Sequence, residues 1–562
     1  MLQRLSRSFK KFLVISLVIV LICLTALAVF SYFYLEPILR KKIHTLIIDG
    51  SDSLYQYKLG KLQADFLGGD VEVENLEVYV DSNRYQLLKA QQTLPNMTLK
   101  LKLAKGHIKG VGLMALIFGK RIKVEEILSK DANIVLSRHF RETTSGAKQP
   151  LPLWRSMKPA IQSISVDRLK LDGVKMLFNN SDTSESVKLQ FDRFDAVFDD
   201  IRIDSAAAFD TSRISFVKSV FLKFHDLKFR SSDSTYKLKA EWITYSSETR
   251  TIEVDSFKLQ PTLDKETFYQ QTGLRKSLYY FEFEKVRLVN APLEKYLHQN
   301  IVEADSIIIY KPDLKIYMDK GMDRNFSDKS GSYPHQKLAK SKLSILIKNI
   351  LLQKTAFVYT EKNGGTGMEG NIVINDLDLH IKNITNIRED ILKDGICTAS
   401  ANGRILGNSP IQTNFKFYLD SSLGRFDVSG VVGKITAAQL NPIAVSLANI
   451  QLPSLTINKI DFSLRVDEYT AWSNVDMLYN DLSIALRKTD VSTGTVSTRK
   501  FLTNAINHHM IYPHNPYNGA TRTAREVRFM RLTTQSFFGV IWKALFAGMQ
   551  AIMMRSGNLG TI

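Results

Sequence analysis

Three histidines stand close together in HHMIYPHNPY, at His508, His509 and His514, and imidazole is a common zinc ligand. No nearby cysteine or carboxylate completes a usual ligand set, so the stretch reads as a polar linker and no metal is expected. Gly365-Thr366-Gly367-Met368-Glu369-Gly370 formally fits GxGxxG, the pattern that cradles a pyrophosphate. It is preceded by FVYTE and followed by NIVINDL, a strand where a dinucleotide fold would place a helix, and this context predicts a hairpin turn. GKIT at Gly433 lacks the upstream glycine of a phosphate loop, and neither HExxH nor GxSxG occurs. No catalytic residue, metal or cofactor is expected, and the chain reads as a non-enzyme.

The composition fits a folded chain with much apolar surface to bury, since 44% of the 562 residues are hydrophobic and 10% aromatic. Cys23 and Cys397 are far apart and supply neither a disulfide framework nor a thiolate cluster. Seventy-five Lys and Arg against 56 Asp and Glu leave a net charge of +19, which suits nucleic acid or an anionic membrane until location is decided. Phe12 to Leu35 holds no charged residue, and at ~1.5 Å per residue it exceeds a bilayer core of about 30 Å. A cleaved signal ending near Ala26-Leu27-Ala28 is the alternative, but the apolar run continues through Tyr34, which favours an uncleaved anchor. Residues 1–11, with Arg4, Arg7, Lys10 and Lys11, are then cytoplasmic and the body translocated. A translocated body without a recognisable binding module speaks against nucleic acid as the partner.

The elements that must position any binding surface are strands. A short amphipathic helix is expected over Pro37–Asp49, and from about Tyr57 the apolar period is two. Leu99, Leu101 and Leu103 alternate with lysines; Ile372 and Ile374 lead into Leu377, Leu379 and Ile381; Phe462, Leu464 and Val466 follow the same rule. In GDVEVENLEVYVD the alternation of Val71 and Val73 changes phase near Asn75 before Leu76, Val78 and Val80, which predicts a bulge or turn redirecting the sheet. Two polar stretches interrupt the pattern, a linker at 146–160 and a loop at 323–338. They divide the body into β blocks at 36–145, 161–322 and 339–498. The similar ends of the first two, IVLSRH and LKIYMDK, point to a weak internal repeat.

After the anchor, YKLGKLQADFLGGDVEVENLEVYV and then LMALIFGKRIKVEEILSKDANIVLSRHF resemble the amino-terminal region of the AsmA-like family of bacterial envelope proteins. FDVSGVVGKITAAQLNPIAVSLANIQLPSLTINKIDFSLRVDEY, followed by MLYNDLSIAL, is similar to that family's C-terminal region, including the Leu-Asn-Pro connection and a closing strand at Tyr479 to Leu482. The middle block is assigned by continuity alone. The resemblance implies a mainly β fold: an N-terminal transmembrane helix, then a long twisted antiparallel sheet curled into an open hydrophobic groove, with a C-terminal amphipathic helix. It further implies an inner-membrane protein with a periplasmic body that carries phospholipid acyl chains toward the outer membrane, the sixteen alternating residues named above lining or supporting the groove. The outer membrane or an envelope protein is the expected contact at the distal end. An envelope scaffold or assembly factor for outer-membrane proteins, working by strand addition, is the alternative.

Beyond Leu486 the strand pattern stops. A basic linker is expected over 499–531, where Arg522, Arg525, Arg528 and Arg531 recur every third residue and would share about half of a helix surface. Residues 532–562 are expected to hold an amphipathic helix and tail, with Ser536, Lys543 and Gln550 on one polar stripe. Phe537, Phe538, Ile541, Trp542, Leu545 and Phe546 lie on its wide apolar side, which together with the arginines would contact a membrane or a partner.

Overall fold

A computed structural model describes residue 22 and residues 36–65, 69–91, 93–95, 97–112, 121–138, 162–180, 189–210, 212–214, 216–231, 233–324, 326–489 and 496–555. Apart from Ile22, the expected anchor at Phe12–Leu35 lies outside them, as does all of the expected linker at 146–160. Among the described residues no helix is long and apolar enough to cross a membrane. The chain forms two compact units, Met1–Asp233 with Ala240–Thr249, and Ser234–Lys239 with Arg250–Ile562. Both are mainly β, as the alternation predicts.

The first unit holds β1 (Tyr55–Asp65), β2 (Asp70–Val80), β3 (Met97–Lys109), β4 (Arg121–Arg138), β5 (Ser163–Asn180), β6 (Leu189–Ile203) and β7 (Val217–Arg230). Each pairs with the next, antiparallel except for β4 and β5, which run parallel. The division between the units falls within β8 (Tyr236–Ser246). The second unit continues with β9 (Thr251–Pro261), β10 (Ser277–Val289), β11 (Ile301–Tyr310), β12 (Asp313–Asp319), β13 (Ser344–Lys362), β14 (Glu369–Thr385), β15 (Ile396–Ile405), β16 (Ser409–Tyr418) and β17 (Phe426–Val432). It closes with β18 (Ile435–Thr436), β19 (Ile450–Val466), β20 (Thr470–Thr489), β21 (Val496–Thr498) and β22 (Thr523–Met530). Here β11 and β12 lie end to end beside β10, and both pair parallel with β13.

The sheet is therefore mixed, which corrects the expectation of an antiparallel one. Parallel neighbours need a crossover of a dozen or more residues. The two stretches that interrupt the strand pattern, 146–160 and 323–338, fall in the β4-to-β5 and β12-to-β13 crossovers.

The phase change at Asn75 is a left-handed residue, φ 55°, and not an added one. Leu59 faces Leu76 and Lys61 faces Glu74, while Leu76 and Glu74 face Leu103 and Lys105, so the register runs through Gly60, Asn75 and Ala104 unbroken. Such residues recur inside the strands: Asp131, Gly173, Asp200, Asp226, Ser256, Lys354, Asp376, Asp481 and Glu526 all have φ near +50 to +70°. Asn and Asp tolerate this conformation because the short side chain can bond locally, and glycine because it has no Cβ. Several coincide with register shifts, at Gly173, Asp376, Asp481 and Glu526. The backbone N–H freed at such a point is taken by a side chain across the sheet. Gly173 donates to Asp195 Oδ1 (2.8 Å), Lys354 to Asp378 Oδ1 (2.9 Å), Glu526 to Asn474 Oδ1 (2.8 Å) and Asp481 to His514 Nδ1 (3.2 Å).

The same layout occurs twice. Strands β1 and β8 each have 11 residues, β2 and β9 each 11, and β3 and β10 each 13. Asn75 and Ser256 are the sixth residues of β2 and β9, while Gly173 and Lys354 are the eleventh of β5 and β13. Asp131 in β4 corresponds to Lys311, the left-handed break before Pro312 that separates β11 from β12. The parallel pairing recurs as well, Ile122 facing Ile164 in one set and Val302 facing Ile345 in the other.

Replacing Gly173 by Val puts a β-branched side chain at φ 69° with its Cβ 3.1 Å from Asp131 Oδ1, and is expected to cost about 1–3 kcal/mol. Asp481→Gly, at φ 58°, is expected to be neutral or slightly stabilising. Denaturant-unfolding midpoints of the two variants check both.

Candidate functional site

Because each left-handed residue re-phases its strand, apolar side chains above and below it keep to one face. In the first unit Tyr57, Val78, Leu101, Ile134, Met176 and Phe191 face one another in succession from β1 to β6. In the second, Leu259, Phe281, Leu314, Phe357, Ile374 and Ile405 do so across β9, β10, β12, β13, β14 and β15. Val78 through Phe191 and Leu259 through Ile374 occupy equivalent places in the two sets. All twelve are half-buried. Five strand spacings of about 4.8 Å make each row roughly 24 Å long.

Next to the first row lies a cluster built from strand residues alone: Ala132, Val174, Phe194 and Ala196 are buried, with Leu103, Leu171, Phe198, Leu222 and Phe224 around them. Phe194 stacks on Phe224 at 4.7 Å, and in the second unit Phe257 stacks on Phe283 at 4.9 Å. Where the first unit has Val174, the second has Thr355, fully buried, its hydroxyl without a hydrogen-bond partner among the described residues. Charges alternate with these residues along the strands. Lys102 pairs with Glu77 (3.0 Å), Arg168 with Asp199 (2.7 Å) and Lys258 with Glu282 (3.0 Å), exposed pairs that each add little stability but keep that side wet.

The expected groove residues separate into three groups. Leu76, Val78, Leu99, Leu101, Leu103, Ile372, Ile374, Leu377, Leu379 and Ile381 are half-buried strand residues, Val78, Leu101 and Ile374 being members of the rows. Val71 and Val73 are buried beside Leu39 of the helix Glu36–Ile47, and Val80 packs on the Leu54, Leu88 and Leu94 cluster by the helix Ser82–Ala90. Phe462, Leu464 and Val466 sit inside the main core of the second unit, and Leu464 and Val466, at 1% exposure, line no open face. The other nine row members, Tyr57, Ile134, Met176, Phe191, Leu259, Phe281, Leu314, Phe357 and Ile405, are not among the expected groove residues, although SLYYFEFEKVRLV carries the same alternation and phase change as GDVEVENLEVYVD.

That core is closed by helices, Ala437–Ala448 against β14 and β19, and Phe537–Met553 against β20 and β22. The second buries Val540, Ala544, Gly548 and Ile552, a stripe of mostly small residues, and an added Cβ at Gly548 would meet Val475 at 2.5 Å. The basic segment before it is no helical linker. Arg525 and Arg528 lie on strand β22, paired with β20, and the bulge at Glu526 produces their three-residue spacing. Arg522 bonds the Ile552 carbonyl (3.1 Å) and stacks on Tyr512, and Arg525 grips Asp476 with two bonds (2.7 and 3.0 Å). Arg528 stays exposed.

Arg531 is buried with Glu468, to which it is ion-paired, and donates to the carbonyls of Glu468 (3.1 Å), Lys329 (2.9 Å) and Gln535 (3.2 Å) over the ring of Tyr333. The polar loop expected at 323–338 therefore docks: Tyr333 is fully buried against Phe426 and Phe537, and burial pushes its phenol up to about 12. His335 lies beside Tyr333, Phe417 and Phe426, where burial holds its imidazole below the usual range.

The histidines of HHMIYPHNPY and the glycines of the GxGxxG stretch have structural places. Asn363 to Gly367 forms the turn of the antiparallel β13–β14 hairpin, with Gly367 N–H bonded to the Asn363 carbonyl. His514 accepts from the Asp481 bulge, while His508 and His509 lie in the helical turn Ile506–Met510. Among the described residues no group of three or more His, Cys, Asp or Glu is placed to hold a metal ion. A shallow cavity of about 670 Å³ lies on the polar face of β16, β17, β19, β20 and β22, lined by Gln412, Asn414, Ser429, Asp461, Asn474 and neighbours. No family model matches the chain, and no curated protein is similar to it.

Glu468→Leu leaves the Arg531 guanidinium buried and unpaired and is expected to cost about 3–5 kcal/mol, whereas adding Arg531→Met should recover part of that loss. Unfolding curves of the single and double variants test the coupling. Because the folded chain holds the His335 imidazole below its ordinary 6.5, the unfolded chain binds the proton more readily. The stability this gives is complete above pH 6.5 and falls as the pH drops toward the depressed value. Melting temperatures at pH 7.5 and 5.5 should therefore differ less in His335→Phe than in the parent.

Proposed function

We propose that the protein is a membrane-anchored lipid-transfer protein whose apolar rows shield phospholipid acyl chains from water between inner and outer membrane. The single observation that carries this reading is the duplicated row, Val78 to Phe191 and Leu259 to Ile374, half-buried apolar side chains set at equivalent positions. Four strand spacings make this shared stretch about 19 Å long, more than the ~15 Å depth of one leaflet's hydrocarbon, so it is long enough to shelter most of an extended acyl chain. Shielding at ~25 cal/mol per Å² of apolar area needs no reaction and no cofactor. The strand patterns that resemble the AsmA-like family and the uncharged segment Phe12–Leu35 agree with an anchored envelope protein.

A photocrosslinking amino acid at Leu103 or Phe283 is expected to capture phospholipid, identified by mass spectrometry. The same group at the neighbouring Lys102 or Glu284, both exposed, should capture little. Absence of lipid at Leu103 and Phe283 in folded protein would overturn the proposal.

A further inference from the structure

The helix Phe537–Met553 is apolar on two sides. Its stripe Val540, Ala544, Gly548 and Ile552 is spent on the sheet, yet Phe538, Trp542 and Phe546, one turn apart, remain 70%, 58% and 39% exposed, Trp542 stacked on Phe546. A helix needs only one apolar face to hold its place in a fold, so the second face is unexplained by folding. It is continued at the helix start by Leu532 and Tyr469, also more than half exposed, and Tyr469 is joined to this segment by the bond from Arg531 N–H to its carbonyl (2.8 Å). Phe326, the most exposed of the set, lies in the loop whose Lys329 N–H bonds the Thr533 carbonyl.

These side chains are held firmly. The buried Arg531 ties together Lys329, Glu468 and Gln535, the three points from which the exposed residues project, and Gly548 seats the helix hard against Val475. A pre-ordered surface of this kind loses little conformational freedom on docking. Beside it the exposed Lys543, next to Trp542 on the helix, has no acidic partner among the described residues. The carboxylates of the adjoining loops, Asp467 and Asp328, lie off the helix and accept the N–H groups of Tyr469 and Thr470 and of Ser330.

We infer that this ridge docks the second unit onto an anionic lipid bilayer, with Phe538, Trp542 and Phe546 entering the interfacial layer and Lys543 meeting a lipid phosphate. Trp, Tyr and Phe beside cations are the side chains that favour such an interface, and binding of this type strengthens with anionic lipid. The inference goes beyond the transfer function and stands on different residues, so either can fail alone.

The test uses the full chain reconstituted in vesicles of phosphatidylethanolamine and phosphatidylglycerol bearing brominated acyl chains, which quench only tryptophans that reach them. Quenching is expected to be clearly larger in the parent than in Trp542→Phe, and to weaken when phosphatidylcholine replaces phosphatidylglycerol. Phe538→Ser with Phe546→Ser should reduce the Trp542 contribution severalfold. Both side chains being exposed, unchanged melting temperatures would show that the fold persists. Equal quenching in the parent and Trp542→Phe would overturn the inference and leave the ridge to a protein partner, whereas lipid captured at Leu103 or Phe283 would be unaffected.

Discussion

A strand alternates its side chains between two faces without exception, so a strand that bends, or runs on past a kink, turns its apolar set outward unless the phase is reset. The single left-handed residue is the device this chain uses for that reset. Asn75, Gly173, Lys354, Asp376 and Glu526 each do it, and for several of them the displaced N–H is satisfied by a neighbouring strand's side chain, as Asp195 and Asp378 do for Gly173 and Lys354. The continuity of the apolar rows, and the twist that bulges add, both depend on it.

Much of this could be read in the residues. The alternation of Leu99, Leu101 and Leu103, the phase change at Asn75 and the offset between Ile374 and Leu377 state strands and resets directly, because period and φ preference are local properties. Strand direction is not local. Nothing in Ile122 or Ile164 announces that β4 and β5 run parallel; only the polar interruption between them hints at a crossover. Arg525 and Arg528 have the three-residue spacing of a helix because a bulge at Glu526 inserts one residue into a period of two, while Arg522 and Arg531 lie outside the strand. Tyr333 shows a different limit. A single aromatic in a polar loop has no periodicity, and its burial depends on Phe426 and Phe537, which are remote in sequence.

Helices are used sparingly and where strands alone leave a core open. Glu36–Ile47 sets Leu39 against Leu62 and Val71 in the first unit, and Phe537–Met553 closes the sheet around β20 and β22 in the second. Between such places the apolar side chains of β3 to β7 rest on one another, with small buried residues, Ala132 and Ala196, allowing larger neighbours to approach. Stability and accessibility are thereby separated: the densely packed C-terminal core, with Arg531 and Glu468 in its rim, holds the second unit together, while the rows remain partly open.

The duplicated layout keeps the hinge points and lets the lining drift. Asp195 and Asp378 make the same bond in both sets, yet Leu101 has become Phe281, Met176 has become Phe357 and Val174 has become Thr355. In informational terms, the chain stores its shape in a few polar residues at bends and treats the greasy positions as interchangeable text. A lining specified only as apolar carries almost no message about the identity of what it touches, so discrimination between ligands would have to be written elsewhere, at the rims and ends where polar side chains are held in place.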